Sequence, residues 1–208
     1  MKGLKLIQAN LQHSRAASAT LCHTLIKQDL DVALIQEPWL VSGRIAGLSQ
    51  TPGKLIYNLS GSARSCIYIK NNLNALTLTE FCSRDLVAVK VSTRQEDKEV
   101  NLVIASLYLP YDALSPPPSE EMRRLVEYCD RHNQELLIGA NANSHNEIWG
   151  STDTNTKGEY LLKYIATNKL DILNRGYKPT YVNSIREEVI DVLQATPHIA
   201  ATVLNRSV

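Results

Sequence analysis

The sequence is poor in several of the residues that declare a function early. It has one phenylalanine, two tryptophans and two methionines in 208 residues. Its four cysteines, Cys22, Cys66, Cys82 and Cys129, are widely spaced and form no CxxC pair. They read as small core residues of a reducing compartment, not as a disulfide framework or a zinc site. Charge of either sign is scarce in net terms: 22 Lys+Arg against 21 Asp+Glu leave +1. Composition therefore does not announce a nucleic-acid binder, although a local basic patch can still grip phosphates. The N-terminus has no long apolar h-region, and no run approaches a membrane-spanning length. The expectation is a soluble, intracellular protein with no membrane partner. Low complexity is confined to "SPPPS" at 115–119.

What remains is ordinary globular material. Hydrophobic residues make up 44% of the chain and charged residues 21%, enough for a core without staples. Length points to one domain over 1–208, or two small ones at most. Strands are expected at 4–11, 32–38, 55–58, 64–70, 86–92 and 99–110, and helices at 14–29 and from Ser119 to near Asn133. A buried strand "ELLIGAN" follows, then a helix over 157–168 and late strands "LDILN" and "EEVIDVLQAT". The "TRQEDKE" segment reads as a solvated turn. Many strands and three helices at irregular intervals predict α/β with mixed sheets, not the strict alternation of a doubly wound fold.

Polar groups recur where apolar strands end. Asn10 follows "LKLIQA", Glu37 follows "VALIQ", Tyr108 follows "VIASL", and Asn141 and Asn143 follow "ELLIG". Asp191 lies inside "EEVIDVL". Acids in such surroundings are costly to bury unless they are paired or bind a metal. The set is oxygen and amide with little histidine and no cysteine. That is the chemistry of a hard cation, Mg²⁺ with Mn²⁺ as the alternative, and of phosphate-ester hydrolysis. Taken singly, each has a plain structural explanation: Asn10 a turn, Tyr108 a core aromatic, Asp191 a partner for an arginine or helix end, His145 a loop histidine. The order of the set is what points to a site.

In order, the segments "IQANLQHS" (7–14), "ALIQEPW" (33–39), "IASLYLP" (104–110), "LLIGANANSHNEIWGSTDTNTKGEYL" (136–161), "PTYV" (179–182) and "EEVIDV" (187–192) resemble the endonuclease/exonuclease/phosphatase superfamily. The resemblance is greatest to the apurinic-endonuclease-like domain of non-long-terminal-repeat retrotransposons. The "WGS…N…GE" tail is characteristic of the arthropod branch. The resemblance implies a four-layer α/β sandwich, two mixed sheets face to face with helices outside. It implies Mg²⁺-dependent nicking of double-stranded chromosomal DNA in the nucleus. The nick would prime a reverse transcriptase domain of the same polyprotein. Carried over by position, Glu37 is the metal ligand with Asn10 beside it. Tyr108 and Asn143 contact the scissile phosphate, and Asp191 holds the metal or orients a histidine. His145, Thr180 and Arg186 fall where substrate contacts are expected.

The chain departs from that pattern in two places. The family's G-x-D-x-N at 139–143 is here G-A-N-A-N, so Asn141 replaces the Asp that activates water. An amide keeps the shape but cannot act as a base. The terminal Ser-Asp-His strand is not found before the last residues, "NRSV". The expectation is a domain truncated ahead of that strand, impaired as a nuclease, and prone to self-associate through an open strand edge. Two other readings stay open: a non-catalytic DNA-binding remnant or transposon fragment, and a phosphomonoesterase of the same superfamily. The single cation of loop 183–188, Arg186, gives the DNA-binding reading thin electrostatic support.

Overall fold

The computed structural model describes residues 3–95, 98–182, 184 and 186–203, with the backbone alone for 93–95 and 98–100. The chain divides into two compact units, Met1–Tyr108 and Leu109–Val208.

The first unit begins with β1 (Leu6–Asn10), α1 (Arg15–Lys27) and β2 (Val32–Gln36). β1 and β2 pair in parallel, which requires a crossover, and α1 supplies it. Ser14 caps α1 as expected, its hydroxyl accepting from the Ala17 N–H at 3.2 Å. Two short hairpin strands follow, β3 (Leu40–Val41) and β4 (Arg44–Ile45). Then come β5 (Gly53–Ile56), β6 (Ser65–Lys70), β7 (Asn74–Cys82), β8 (Leu86–Gln95) and β9 (Lys98–Tyr108). One sheet runs β1-β2-β6-β5 and is mixed; β7, β8 and β9 form an antiparallel meander.

Every residue of β2 is buried, so both of its faces are covered. Ala33 and Ile35 face Leu21, Cys22 and Leu25 of α1. Burying each leucine contributes about 1.5–3 kcal/mol. On the other face, Gln36 donates Nε2–H to the Ser106 hydroxyl of β9 at 2.9 Å. Ser106 also accepts from Ser65 Oγ at 2.8 Å and donates to the Ile35 carbonyl at 3.0 Å. One hydroxyl thus makes three bonds between the facing sheets. This buried polar knot lies immediately before Glu37 in the chain.

The second unit holds α2 (Glu120–Arg131), β10 (Glu135–Asn141), α3 (Thr156–Thr167), β11 (Asp171–Ile172), β12 (Tyr181–Val182), β13 (Glu187–Glu188), β14 (Asp191–Ala195) and α4 (Pro197–Thr202). Its sheet runs β11-β14-β10, all antiparallel, while β12 and β13 form a separate hairpin. Ser119 caps α2 as expected, with Glu120 and Glu121 in its positive first turn.

Several sequence-based expectations need correcting. The late strand expected over 187–196 is broken into β13 and β14, because the Thr180 hydroxyl takes the backbone N–H groups of Ile190 (3.1 Å) and Asp191 (3.2 Å). Those groups are therefore not free for a continuous ladder. Strand β7 and helix α4 were not expected; β7 alternates mostly exposed positions, and α4 is only six residues long. The "TRQEDKE" segment is mostly strand, β8 reaching Gln95 and β9 starting at Lys98, with Glu96 and Asp97 outside the described residues. Asn183 and Ile185 of the 183–188 loop, and the terminal "NRSV", also lie outside them.

Cys22, Cys66 and Cys129 are buried and none of the four cysteines is in a disulfide. Burial pushes the Cys129 thiol up to about 12 and raises Cys66 as well, which leaves both inert at neutral pH. Among the described residues no helix is long and apolar enough to cross a membrane.

Candidate active site

In the first unit the parallel register aligns Asn10 with Gln36, so Asn10 and Glu37 emerge side by side at the carboxyl ends of β1 and β2. The chain is held there in costly conformations. Gln12, His13 and Glu37 all have positive φ, at 47°, 53° and 46°. Such non-glycine residues persist only where their surroundings over-determine them, and they cluster at functional sites. The surroundings do so here. The Glu37 N–H donates to the Arg64 carbonyl at 2.8 Å, and the Glu37 carbonyl accepts the His13 N–H at 2.8 Å. Asn10 Oδ1 accepts the Gln12 N–H at 2.8 Å, closing the turn from within. The Glu37 carboxylate keeps 22% exposure and stands 3.8 Å from His13 Nε2.

Tyr108 ends β9 and is 7% exposed. Its N–H donates to the Asp85 carbonyl at 2.8 Å, and the Arg64 guanidinium lies over its ring, 4.6 Å from the centroid. Arg64 in turn grips Asp85 with two parallel bonds. Neither Arg64, Asp85 nor His13 was singled out from the sequence. Only His13 carried a local signal, three residues after Asn10; the other two lie at strand starts far along the chain.

In the second unit Asn141 and Asp191 are register partners on β10 and β14. Asn141 is fully buried and donates Nδ2–H to Asp191 Oδ1 at 2.9 Å. Its Oδ1 is buried with no protein partner. A buried acceptor left without a partner is costly, so this atom suits a water or a cation. Asn143 sits at φ 45° and donates Nδ2–H to the Leu109 carbonyl at 2.9 Å. Thr180 spends its hydroxyl on the backbone that leads into Asp191. Thr180→Val is therefore expected to lower stability by about 1–3 kcal/mol by stranding two N–H groups. A urea midpoint indistinguishable from that of the parent would contradict this.

His145 does not stand beside Asn141 in the hydrogen-bond pattern. Its Nδ1 lies 2.8 Å from Asp153 and 3.9 Å from the buried Glu188, joining the loop after β10 to β13. Ligand atoms of these three residues lie within 4.8 Å of one another, close enough to share a cation. Arg186 Nη1 is 3.9 Å from the other Asp153 oxygen. Glu188 also accepts from the Thr152 N–H (3.0 Å) and hydroxyl (2.6 Å).

The fold is that of the endonuclease/exonuclease/phosphatase superfamily, whose nucleases and phosphatases are hydrolases, and similar solved structures share it. A profile described as endonuclease-reverse transcriptase matches residues 102–208, just over half of the chain, and the chain belongs to that family. The endonuclease domain of TRAS1, a telomere-specific non-LTR retrotransposon, has a TM-score of 0.76 at 23% identity, covering 96% of this chain and 88% of its own. An AP endonuclease from Archaeoglobus fulgidus has a TM-score of 0.64 at 12% identity, covering 98% and 90%. The mannosyl-6-phosphatase Bt3783 of Bacteroides thetaiotaomicron VPI-5482 has 0.57 at 12%, covering 94% and 86%. At these identities the likeness carries the fold and not the substrate. No curated protein matches the sequence.

Nucleases of this superfamily typically depend on a divalent metal. The residues present fit one. Glu37 supplies a part-exposed carboxylate, and Asn10 an amide oxygen whose second lone pair is not used by Gln12. The donor set suits a hard cation.

Proposed function

We propose that this chain is the endonuclease domain of a non-long-terminal-repeat retrotransposon polyprotein. Its reaction is Mg²⁺-dependent hydrolysis of a phosphodiester in double-stranded DNA. The nick leaves a 3′-hydroxyl from which the reverse transcriptase domain of the same polyprotein copies its template in the nucleus. The observation that carries this reading is Glu37. It is a carboxylate at the end of a fully buried strand, in a left-handed conformation held from both sides, with Asn10 in register beside it. Nothing in packing alone calls for an acid there.

Glu37 and Asn10 would hold the cation. A bound divalent ion supplies charge stabilisation for the phosphate oxygens. The Tyr108 hydroxyl of the first unit donates a hydrogen bond to a phosphate oxygen, and the family's pattern assigns a phosphate contact to the Asn143 amide of the second unit. Thr180 keeps Asp191 in place, and Asp191 holds the Asn141 amide. In an active relative of this pattern an Asp at 141 would position the attacking water and take its proton. Asn141 can still position water through its unpartnered Oδ1, but it cannot accept the proton. The chain as it stands is therefore expected to nick poorly. His145 and Arg186 serve as substrate contacts through the loop they brace.

Metal binding gives a direct test. Mn²⁺ should bind the parent protein weakly, followed by calorimetry or paramagnetic broadening, and Glu37→Ala should lose this site. Identical titrations of the two proteins would sink the assignment. A phosphomonoesterase reading would be favoured instead by Glu37-dependent release of phosphate from a small monoester with no cleavage of plasmid.

A further inference from the structure

The Arg64–Asp85 pair touches both residues on which the chemistry of the first unit rests. Arg64 stands immediately before β6, and Asp85 immediately before β8. The Ser83 hydroxyl fixes the turn that presents Asp85, accepting the N–H groups of Asp85 (3.2 Å) and Leu86 (3.1 Å). Asp85 then binds Arg64 through both Nε and Nη2. A bidentate bond of this kind fixes the plane of the guanidinium, which a lysine at the same place could not match. The guanidinium carbon lies over the Tyr108 ring, 4.6 Å from its centroid. The same two residues grip the backbone of both site residues: the Arg64 carbonyl accepts the Glu37 N–H, and the Asp85 carbonyl accepts the Tyr108 N–H, each at 2.8 Å. Arg64 and Asp85 keep side-chain exposures of only 19% and 21%, so this bidentate pair also contributes to stability, and its positioning role is read at Tyr108 rather than from unfolding.

We propose that Arg64, held flat by Asp85, is a positioning residue for phosphodiester hydrolysis: it sets the plane of the Tyr108 ring and so the direction in which the Tyr108 hydroxyl meets the phosphate. The role rests on the function proposed above. A tyrosine ring turns about two side-chain torsions, and a hydroxyl at its tip swings with them. Stacking a fixed cation on one ring face removes that freedom before substrate arrives, as preorganisation requires. The link to Glu37 is through the backbone: the residue whose side chain orients Tyr108 has the carbonyl that holds Glu37 in its left-handed conformation.

The test uses the whole chain labelled with 3-fluorotyrosine, the Tyr108 resonance being the ¹⁹F signal that Tyr108→Phe removes. The probes are a short DNA duplex and Mn²⁺ or Ca²⁺. In the parent, duplex should shift the Tyr108 signal. Arg64→Lys keeps the charge and tests the planar fork; Arg64→Ala and Asp85→Asn test the stack and its anchor. In all three the Tyr108 signal of the free protein should move or broaden. The duplex-induced change should shrink, and duplex affinity should fall about three- to tenfold. Asp85→Asn and Arg64→Lys combined should do no more than either alone, because the two act as a unit. A Tyr108 signal that responds to duplex equally in parent and Arg64→Lys overturns the role of Arg64 alone. A parent Tyr108 signal that ignores duplex overturns the function proposed above, and this role with it.

Discussion

Asn141→Asp is expected to raise Mg²⁺-dependent relaxation of supercoiled plasmid by about 10²–10⁴, the usual worth of a well-placed general base. The argument is local. Asn141 is fully buried, its Nδ2–H is spent on Asp191 Oδ1 at 2.9 Å, and its Oδ1 has no protein partner. The water that such an acceptor invites can be held but not deprotonated. An aspartate of the same shape supplies the base and replaces a donor to Asp191 with a second carboxylate. The two acids cannot both sit ionised at that distance without a proton or a cation between them. The gain in rate should therefore come with a loss of stability in metal-free buffer, about 1–3 kcal/mol. Divalent cation should restore part of it, since a ligand of the folded state stabilises by mass action. Initial nicking rates and thermal unfolding with and without Mg²⁺ measure both effects. Strong nicking by the parent chain that disappears in Glu37→Ala, with no gain in Asn141→Asp, would show that position 141 does not limit the reaction.

Gly158→Ala is expected to unfold or severely destabilise the second unit, against the usual sign for such a change. In an open helix, replacing glycine with alanine gains roughly 1 kcal/mol. Gly158 lies in the first turn of α3, where a Cβ would stand 1.8 Å from the His145 carbonyl oxygen and 2.7 Å from its carbon. These are backbone atoms of the loop after β10, and Asn155 pins that loop by accepting the N–H groups of both His145 and Gly158. The clashing atoms are backbone and cannot swing aside as a side chain could, so α3 must separate from the loop. Overpacking of this kind costs at least about 1–3 kcal/mol, more than the propensity gain. The separation would also drag His145 from Asp153 and Glu188. Denaturant unfolding followed by far-UV circular dichroism reads the effect; a midpoint equal to or above that of the parent would mean the loop can retreat at no cost.

The sequence by itself determined the strand-end placement of Asn10, Glu37, Tyr108, Asn141 and Asn143. Apolar runs dictate buried strands, and the polar residue that ends each run must lie at the sheet's rim. It determined the caps Ser14 and Ser119, since a hydroxyl before an amphipathic run satisfies orphan N–H groups locally. The replacement of an acid by Asn141 was likewise a matter of residue identity. Tertiary structure alone decided the rest, because the partners are distant in sequence. The break between β13 and β14 follows from a hydroxyl ten residues away, at Thr180. Nothing local separates Arg64 from any exposed arginine; its fork on Asp85 lies 21 residues on, and its stack on Tyr108 further still. His13 faces Glu37 only because a parallel pairing returns the chain beside β1. His145, read as a substrate contact, meets Asp153 and Glu188 because a hairpin folds back onto its loop. Local sequence dictates which residue ends a strand, since periodicity and capping are short-range. Which groups then meet at that end depends on pairing between strands, and that is settled only when the sheets form.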